Sequence, residues 1–271
     1  MPENGWPADR IDTKNPHPAR VYDYILGGKD YYPPDREAGD AMVEVWPSIV
    51  PHMLENRKFM HRATRYLAQE AGIRQFVDIG TGIPTRPNVH EVAQSIAPES
   101  RVVYVDNDPI VLTLSAGLSS STPEGRTEYI EADMRDPAAI LGSPQFRETI
   151  DLGKPVGLTF IAIVHLIMDE DDPLGIVHRL LDPLPSGSYL AMSIGTDDFA
   201  PEEVGRVNAE YTARGMPMRL RNLSEAQAYF EGLELVEPGI TQVHRWLPDD
   251  SVDPAVRDEQ IAMYGAVARK P

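Results

Sequence analysis

An α/β fold with a mostly parallel sheet and helices on both faces follows from three features of this sequence. Candidate strands alternate with candidate helices from residue 75 to residue 194, the order that a parallel sheet with right-handed crossovers requires. Gly157 to Val164 is apolar on successive residues, which suits a central strand buried on both faces. Phe76-Val77-Asp78-Ile79-Gly80-Thr81-Gly82-Ile83-Pro84-Thr85 is a short apolar run that breaks into a glycine turn. Val102-Val103-Tyr104-Val105-Asp106-Asn107-Asp108 answers it with a second run, whose acid falls 24 residues after Gly82. A strand, a glycine loop, a helix and a strand ending in Asp make half of a nucleotide-binding crevice.

The elements follow in order. Residues 1–18 carry Pro2, Pro7, Pro16 and Pro18 with little apolar periodicity, and read as disordered or draped. Residues 19–36 hold four tyrosines among charges and the pair Gly27-Gly28. If this segment is extended, Tyr22 and Tyr24 share one face. Met53, Leu54, Phe59, Met60, Ala63, Tyr66 and Leu67 form a helical stripe from about 51 to 71, stopped by Gly72. Strands are expected at 75–79, 101–106, 127–132, 157–164 and 187–194, with helices near 87–97, 109–117, 137–141 and 173–183. Residues 201–214 and 224–232 read as helices. Strands at 240–246 and 262–268 would close the sheet as an antiparallel pair at its edge. The division implied is an N-terminal arm and helical cap over 1–70 on a core over 71–271, with a helical insertion at about 196–238, all one unit.

Composition excludes several classes of function. The chain has 271 residues, 42% hydrophobic, enough for one large domain. It has no cysteine, which removes disulfides, thiolate metal sites and a cysteine nucleophile. A formal charge of −17 argues against nucleic acid as a partner and against anionic membrane surfaces. The longest apolar run, Leu158 to Met168, is interrupted by His165 and is too short to span a bilayer. The N-terminus lacks an apolar signal core, so a cytoplasmic protein is expected.

The glycine loop separates two cofactor classes. Dinucleotide enzymes use three glycines and receive a pyrophosphate at the helix start. Here the third glycine is replaced by Thr85, and Pro84 stiffens the loop. Asp78, two residues before Gly80, would repel a pyrophosphate but suits a cationic ligand. S-adenosylmethionine carries a sulfonium and an ammonium and no phosphate. Asp106 is then placed to accept from ribose hydroxyls. Asp133 would accept from the adenine amine, with Met134 packing on the ring and Asn107 nearby. Asp108 and Asp136 precede prolines and read as helix caps.

On these residues the chain resembles the class I S-adenosylmethionine-dependent methyltransferases. More closely, it is similar to an actinobacterial S-adenosyl methyltransferase family first defined as a domain of unknown function. The pieces that carry the likeness are Ala19-Arg20-Val21-Tyr22-Asp23-Tyr24-Ile25-Leu26-Gly27-Gly28-Lys29-Asp30, Asp78 to Thr85, and Val105-Asp106-Asn107-Asp108. The resemblance implies a Rossmann-like seven-stranded sheet, mostly parallel with an antiparallel last strand, under an N-terminal helical or lid extension. It also implies S-adenosylmethionine at the carboxyl ends of the first strands. It does not name an acceptor.

The expected cofactor residues are therefore Asp78, Gly80, Thr81, Gly82, Asp106, Asn107, Asp133 and Met134, with Arg20 and Tyr22 from the N-terminal segment. His165, at a strand tip, and Tyr22 or Tyr24 are the candidates for a catalytic proton acceptor, if the acceptor atom must lose a proton. The segment from Arg20 to Asp30 is either a docked arm or a lid, and tyrosine faces there could stabilise a sulfonium. The acids Asp169 to Asp172 read as a solvated turn, and no metal site is expected. Methyl transfer to a small-molecule acceptor is the first reading. A non-catalytic S-adenosylmethionine sensor is the second, and a nicotinamide oxidoreductase the third.

Overall fold

The computed structural model describes residues 11–118 and 121–271. Three helices come first: α1 (Pro18–Ile25), α2 (Pro33–Val45) and α3 (Ile49–Gln69). Then β1 (Gln75–Ile79), α4 (Val89–Ile96), β2 (Arg101–Asp106), α5 (Pro109–Leu118) and β3 (Arg126–Glu131) alternate. They are followed by α6 (Pro137–Gly142), α7 (Pro144–Thr149), β4 (Gly157–Ile161), α8 (Pro173–Leu181) and β5 (Tyr189–Gly195). The C-terminal part holds α9 (Pro201–Ala213), α10 (Leu223–Ala228), β6 (Glu234–Leu235), β7 (Thr241–Gln242) and β8 (Met263–Arg269). Proline stands at the first turn of α1, α2, α6, α7, α8 and α9, where its missing N–H has no helical partner to lose.

The sheet runs β3-β2-β1-β4-β5-β8-β6, parallel as far as β5 and antiparallel beyond it. β7 pairs with β8 as well, so β6 and β7 together fill the seventh position. Both faces are covered, as the period of two demands. Val77, Ile79, Val103, Val105, Leu158 and Phe160 pack on α6, α7, α8 and α10. Phe76, Val102, Tyr104 and Ala191 pack on α3 and α4. The strand order reverses between β1 and β4, the place where ligands of such sheets bind, beyond the carboxyl ends of the strands.

Four expectations are corrected. Residues 18–25 form a helix, so Tyr22 and Tyr24 lie about 200° apart around it and share no face. The expected strand at 240–246 shrinks to two residues and a 3-10 turn over Val243–Arg245. There the Arg62 guanidinium donates to the carbonyls of Trp246 and Val243, replacing a ladder, while Trp246 is fully buried edge-on to Phe59 and Tyr66. β4 stops at Ile161 because Ala162 turns left-handed, its N–H held by the Ser193 hydroxyl. Lastly, β6 and α7 were not anticipated. The draped stretch expected at 1–18 falls, for its first ten residues, outside the described part; Pro18 already opens α1. No helix among the described residues is long and apolar enough to cross a membrane.

Candidate active site

The glycine loop is built by hydrogen bonds onto the end of β2. The N–H groups of Gly80 and Thr81 donate to the Val105 carbonyl, at 2.8 and 3.2 Å. The Gly82 N–H donates to Asp106 Oδ2 at 2.8 Å. Gly80 and Gly82 both have φ +67°, where a side chain is strained. A Cβ on Gly80 would stand 2.4 Å from Ile163 Cγ1, whereas one on Gly82 would meet only Ala19, at 4.0 Å. Gly80→Ala should therefore destabilise the protein by about 2–4 kcal/mol, and Gly82→Ala by about 1–2 kcal/mol from backbone strain alone. Urea unfolding of the two variants checks the ranking, and equal losses would contradict it.

Two buried carboxylates flank this loop. Asp78, the penultimate residue of β1, is 4% exposed and accepts from the Thr159 hydroxyl on β4. Burial pushes its carboxyl up to about 6, against smaller opposing effects of Thr159, Thr81 and Arg57. Asp106 closes β2, and its second oxygen accepts from the Asp108 N–H at 2.9 Å. Burial raises this carboxyl too, opposed by its two backbone N–H partners. Neither acid forms a salt bridge among the described residues. Asp108 caps α5 through the Ile110 N–H, as its place before Pro109 implied.

Asp133 is engaged differently. Arg135 grips its carboxylate, with Nη2 to Oδ2 at 2.6 Å, and this hydrogen bond holds the carboxyl below its ordinary value. Asn107 Nδ2 lies 3.5 Å from the same oxygen. Met134 is buried against the core beside it.

A cavity of about 490 Å³ opens from this loop at the β1/β4 switch point. That is the size range of small-molecule sites. Asp78, Gly80, Thr81, Gly82, Asp106, Asn107, Asp133, Met134, Tyr22 and His165 all line it. Arg20 and Tyr24 do not line it. Arg20 turns into a buried cluster with Asp35 and Asp108, and Tyr24 faces Asp40 and Tyr31 on the far side of α1.

Neither remaining base candidate is free to take a proton. The Tyr22 hydroxyl donates to the Met53 carbonyl and accepts from Asn56 Nδ2, both at 3.1 Å, and burial raises its pKa. His165 Nδ1 accepts the Gly195 N–H at 3.2 Å. Burial, and secondarily Arg221, lowers the ring to about 4. A neutral ring that accepts at Nδ1 carries its proton on Nε2, so His165 donates there.

The sequence reading missed the far wall. His52, Met53, Asn56 and Arg57 reach the cavity from α3, and Val204, Val207 and Tyr211 from α9. The signal available was His52 and Asn56 standing within an otherwise apolar helical stripe. Arg57 donates to the Thr85 and Pro87 carbonyls behind the glycine loop and leaves its charge unpaired by any acid among the described residues. Ala162, at φ 54°, forms part of the rim, a strained position of the kind that collects at functional sites. Among the described residues no group of three His, Asp or Glu side chains is placed to hold a metal ion.

The sequence matches the S-adenosyl methyltransferase family over residues 4–271. The chain belongs to that family. The crystal structure of a DUF574 family protein from Streptomyces avermitilis MA-4680 is similar at 71% identity and a TM-score of 0.95, covering 97% of this chain and all of the other. A candidate methyltransferase from Thermobifida fusca YX is similar at 37% identity and a TM-score of 0.88, covering 98% of each chain. A SAM-dependent methyltransferase from Anabaena variabilis ATCC 29413, at 14% identity and a TM-score of 0.50, shares the fold over 97% of this chain and 98% of its own. No curated protein matches the chain. As a member of the S-adenosyl methyltransferase family, this protein is a methyltransferase-type enzyme on a class I sheet.

Proposed function

We propose that this protein binds S-adenosylmethionine at the glycine loop and transfers its methyl group to a small-molecule acceptor. One observation carries the reading: a single cavity joins the acid-flanked loop to a chamber enclosed by α1, α3 and α9. A sensor would need the first half only, so the enclosed second half favours the transferase. The cofactor would supply an electrophilic methyl group on a sulfonium.

The residues fit such a ligand. Asp106 would accept from the ribose hydroxyls, and Met134 with Asn107 would border the adenine. Asp133, already held by Arg135, would present its remaining lone pairs to the adenine amine. Asp78 is a buried acid that forms no salt bridge among the described residues, Arg57 acting on it only from a distance, and a ligand ammonium would complete it. Arg57 faces the same end and would take the carboxylate. The walls would hold acceptor and methyl in line and exclude water. The formal charge of −17 keeps nucleic acid out of the list of acceptors.

Binding should follow the charge on Asp78. An ammonium favours the carboxylate, so the complex holds fewer protons there than the free protein. Affinity for S-adenosylhomocysteine then rises with pH and is lost as pH falls through about 6. At pH 5 it should be about tenfold weaker than on the plateau above 7. Asp78→Asn should flatten the profile, and calorimetry across that range checks it. Calorimetry should also show S-adenosylhomocysteine binding and none of NAD. A tritiated-methyl screen over metabolite pools tests transfer itself; tight cofactor binding with no labelled acceptor would favour the sensor.

A further inference from the structure

The half of the cavity beyond the glycine loop has a chemistry of its own. Trp46, Ile49 and Met53 form one wall, and Val207, Tyr211 and Met216 the other. Thioethers recur here, and sulfur packs well against aromatic rings. Two imidazoles stand between the walls. His52 Nδ1 accepts the Ala262 N–H at 3.2 Å, and His165 Nδ1 accepts the Gly195 N–H at the same distance. Each ring therefore carries its proton on Nε2, on the edge left free. The hydrogen bonds these rings make among the described residues are at Nδ1, which leaves each Nε2 without a partner there, and both rings line the cavity. The rings are close enough to sense each other's charge, and burial holds His52 at about 3 and His165 at about 4, so both stay neutral.

Among the described residues the chamber also lacks a free base; His17, which lines the cavity as well, is engaged by Asp108 beside the cofactor half. Asp78, Asp106 and Asp133 belong to the cofactor half. Asp23 is the remaining acid of the lining, and its carboxylate is turned to the Asp30 N–H and packed on Gly28. The Tyr22 hydroxyl keeps its proton and donates it in a hydrogen bond to the Met53 carbonyl, and burial raises the Tyr211 phenol. Asn56 Oδ1 is buried without a partner but accepts hydrogen bonds rather than protons. An alkyl alcohol or a protonated amine would find nothing here to take its proton. Two N–H donors on the lining of one cavity suit an oxyanion.

We propose, resting on the methyl-transfer reading above, that the acceptor is a hydroxylated aromatic or enolic ring whose oxygen sits between the Nε2–H groups of His52 and His165. Its hydroxyl proton leaves to water as the two donors stabilise the oxyanion. An oxygen lone pair then forms the bond to the methyl carbon, and the pair of the methyl–sulfur bond returns to sulfur. The products are a methyl ether and a neutral thioether. His52 and His165 act as hydrogen-bond donors, not as bases.

The test uses 7-hydroxycoumarin, whose phenol and phenolate absorb at different wavelengths, with protein saturated by S-adenosylhomocysteine. Bound probe should ionise about one unit lower than free probe, since a tenfold preference for the anion is one unit. His52→Phe and His165→Phe should each cancel much of that shift and weaken probe binding about tenfold, while His165→Gln, which keeps a donor near the Nε2 position, should recover part of it. The same rings bearing an aminomethyl or a carboxylate group should bind about tenfold more weakly. An unchanged ionisation, an equal or better fit of the amine, or no binding of the phenol to the loaded protein would each overturn the proposal. S-adenosylhomocysteine is titrated first into every variant. Failure at that step removes the cofactor reading, and failure only with the probe removes the acceptor class.

Discussion

Asp106→Ala should weaken S-adenosylhomocysteine binding by about 100-fold or more while leaving the protein folded. Two hydrogen bonds from ribose hydroxyls to a buried carboxylate would be worth about 1.5 kcal/mol each or more, and about 3 kcal/mol corresponds to a little over two decades of affinity. The same carboxylate also arranges the loop. Its Oδ2 holds the Gly82 N–H and its Oδ1 the Asp108 N–H, so its removal frees both ends of the turn that faces the cofactor. Stability of the free protein should change less than affinity. Burial raises the Asp106 carboxyl, which means that the fold disfavours its charge and gives some of that cost back when it goes. Asp106→Asn is no gentle control, because its amide must turn an NH₂ toward one of two backbone donors. Calorimetry with S-adenosylhomocysteine, beside urea unfolding of the free variants, separates the two effects. A variant that binds as wild type would remove Asp106 from the ribose site.

How much of this site the sequence discloses depends on how local each part is. The glycine loop and the tips of β1 and β2 are legible because apolar runs, glycines and strand-end acids lie within one short stretch. The helix over Pro18–Ile25 was legible in principle, since Pro18 stands at its first turn, but the alternation of Tyr22 and Tyr24 imitates a strand. The end of the seventh strand position was not legible. Arg62, some 180 residues away in sequence, satisfies its carbonyls. The rest of the acceptor chamber was hidden for the same reason: His165 stood out at its strand tip, but Trp46, His52 and Val207 are ordinary residues until α3, α9 and the end of β4 meet. What sequence showed of the chemistry is what one segment can carry alone.

Arg20→Ala should be the most destabilising of the changes considered, by about 3–5 kcal/mol, although Arg20 touches no part of the cavity. The side chain is 2% exposed, with Nε 3.0 Å from Asp35 Oδ2 and Nη1 3.7 Å from Asp108 Oδ2. Asp35 is fully buried at the start of α2 and also accepts from the His17 and Tyr32 N–H groups. Asp108 receives His17 Nδ1 at 3.1 Å. One arginine thus ties the arm, α2 and the start of α5 together, and its loss leaves two buried carboxylates without their cation. The damage should reach the cofactor. His17 and Ala19 stand in the cavity wall, and Asp108 donates its N–H to Asp106. S-adenosylhomocysteine affinity should fall about tenfold, since an arm that opens even nine-tenths of the time taxes binding by that factor. Urea unfolding and calorimetry at low temperature, where the variant stays folded, read the two quantities apart. A stability loss with unchanged affinity would make the arm a strut. A joint loss makes it a lid whose closed state Arg20 maintains.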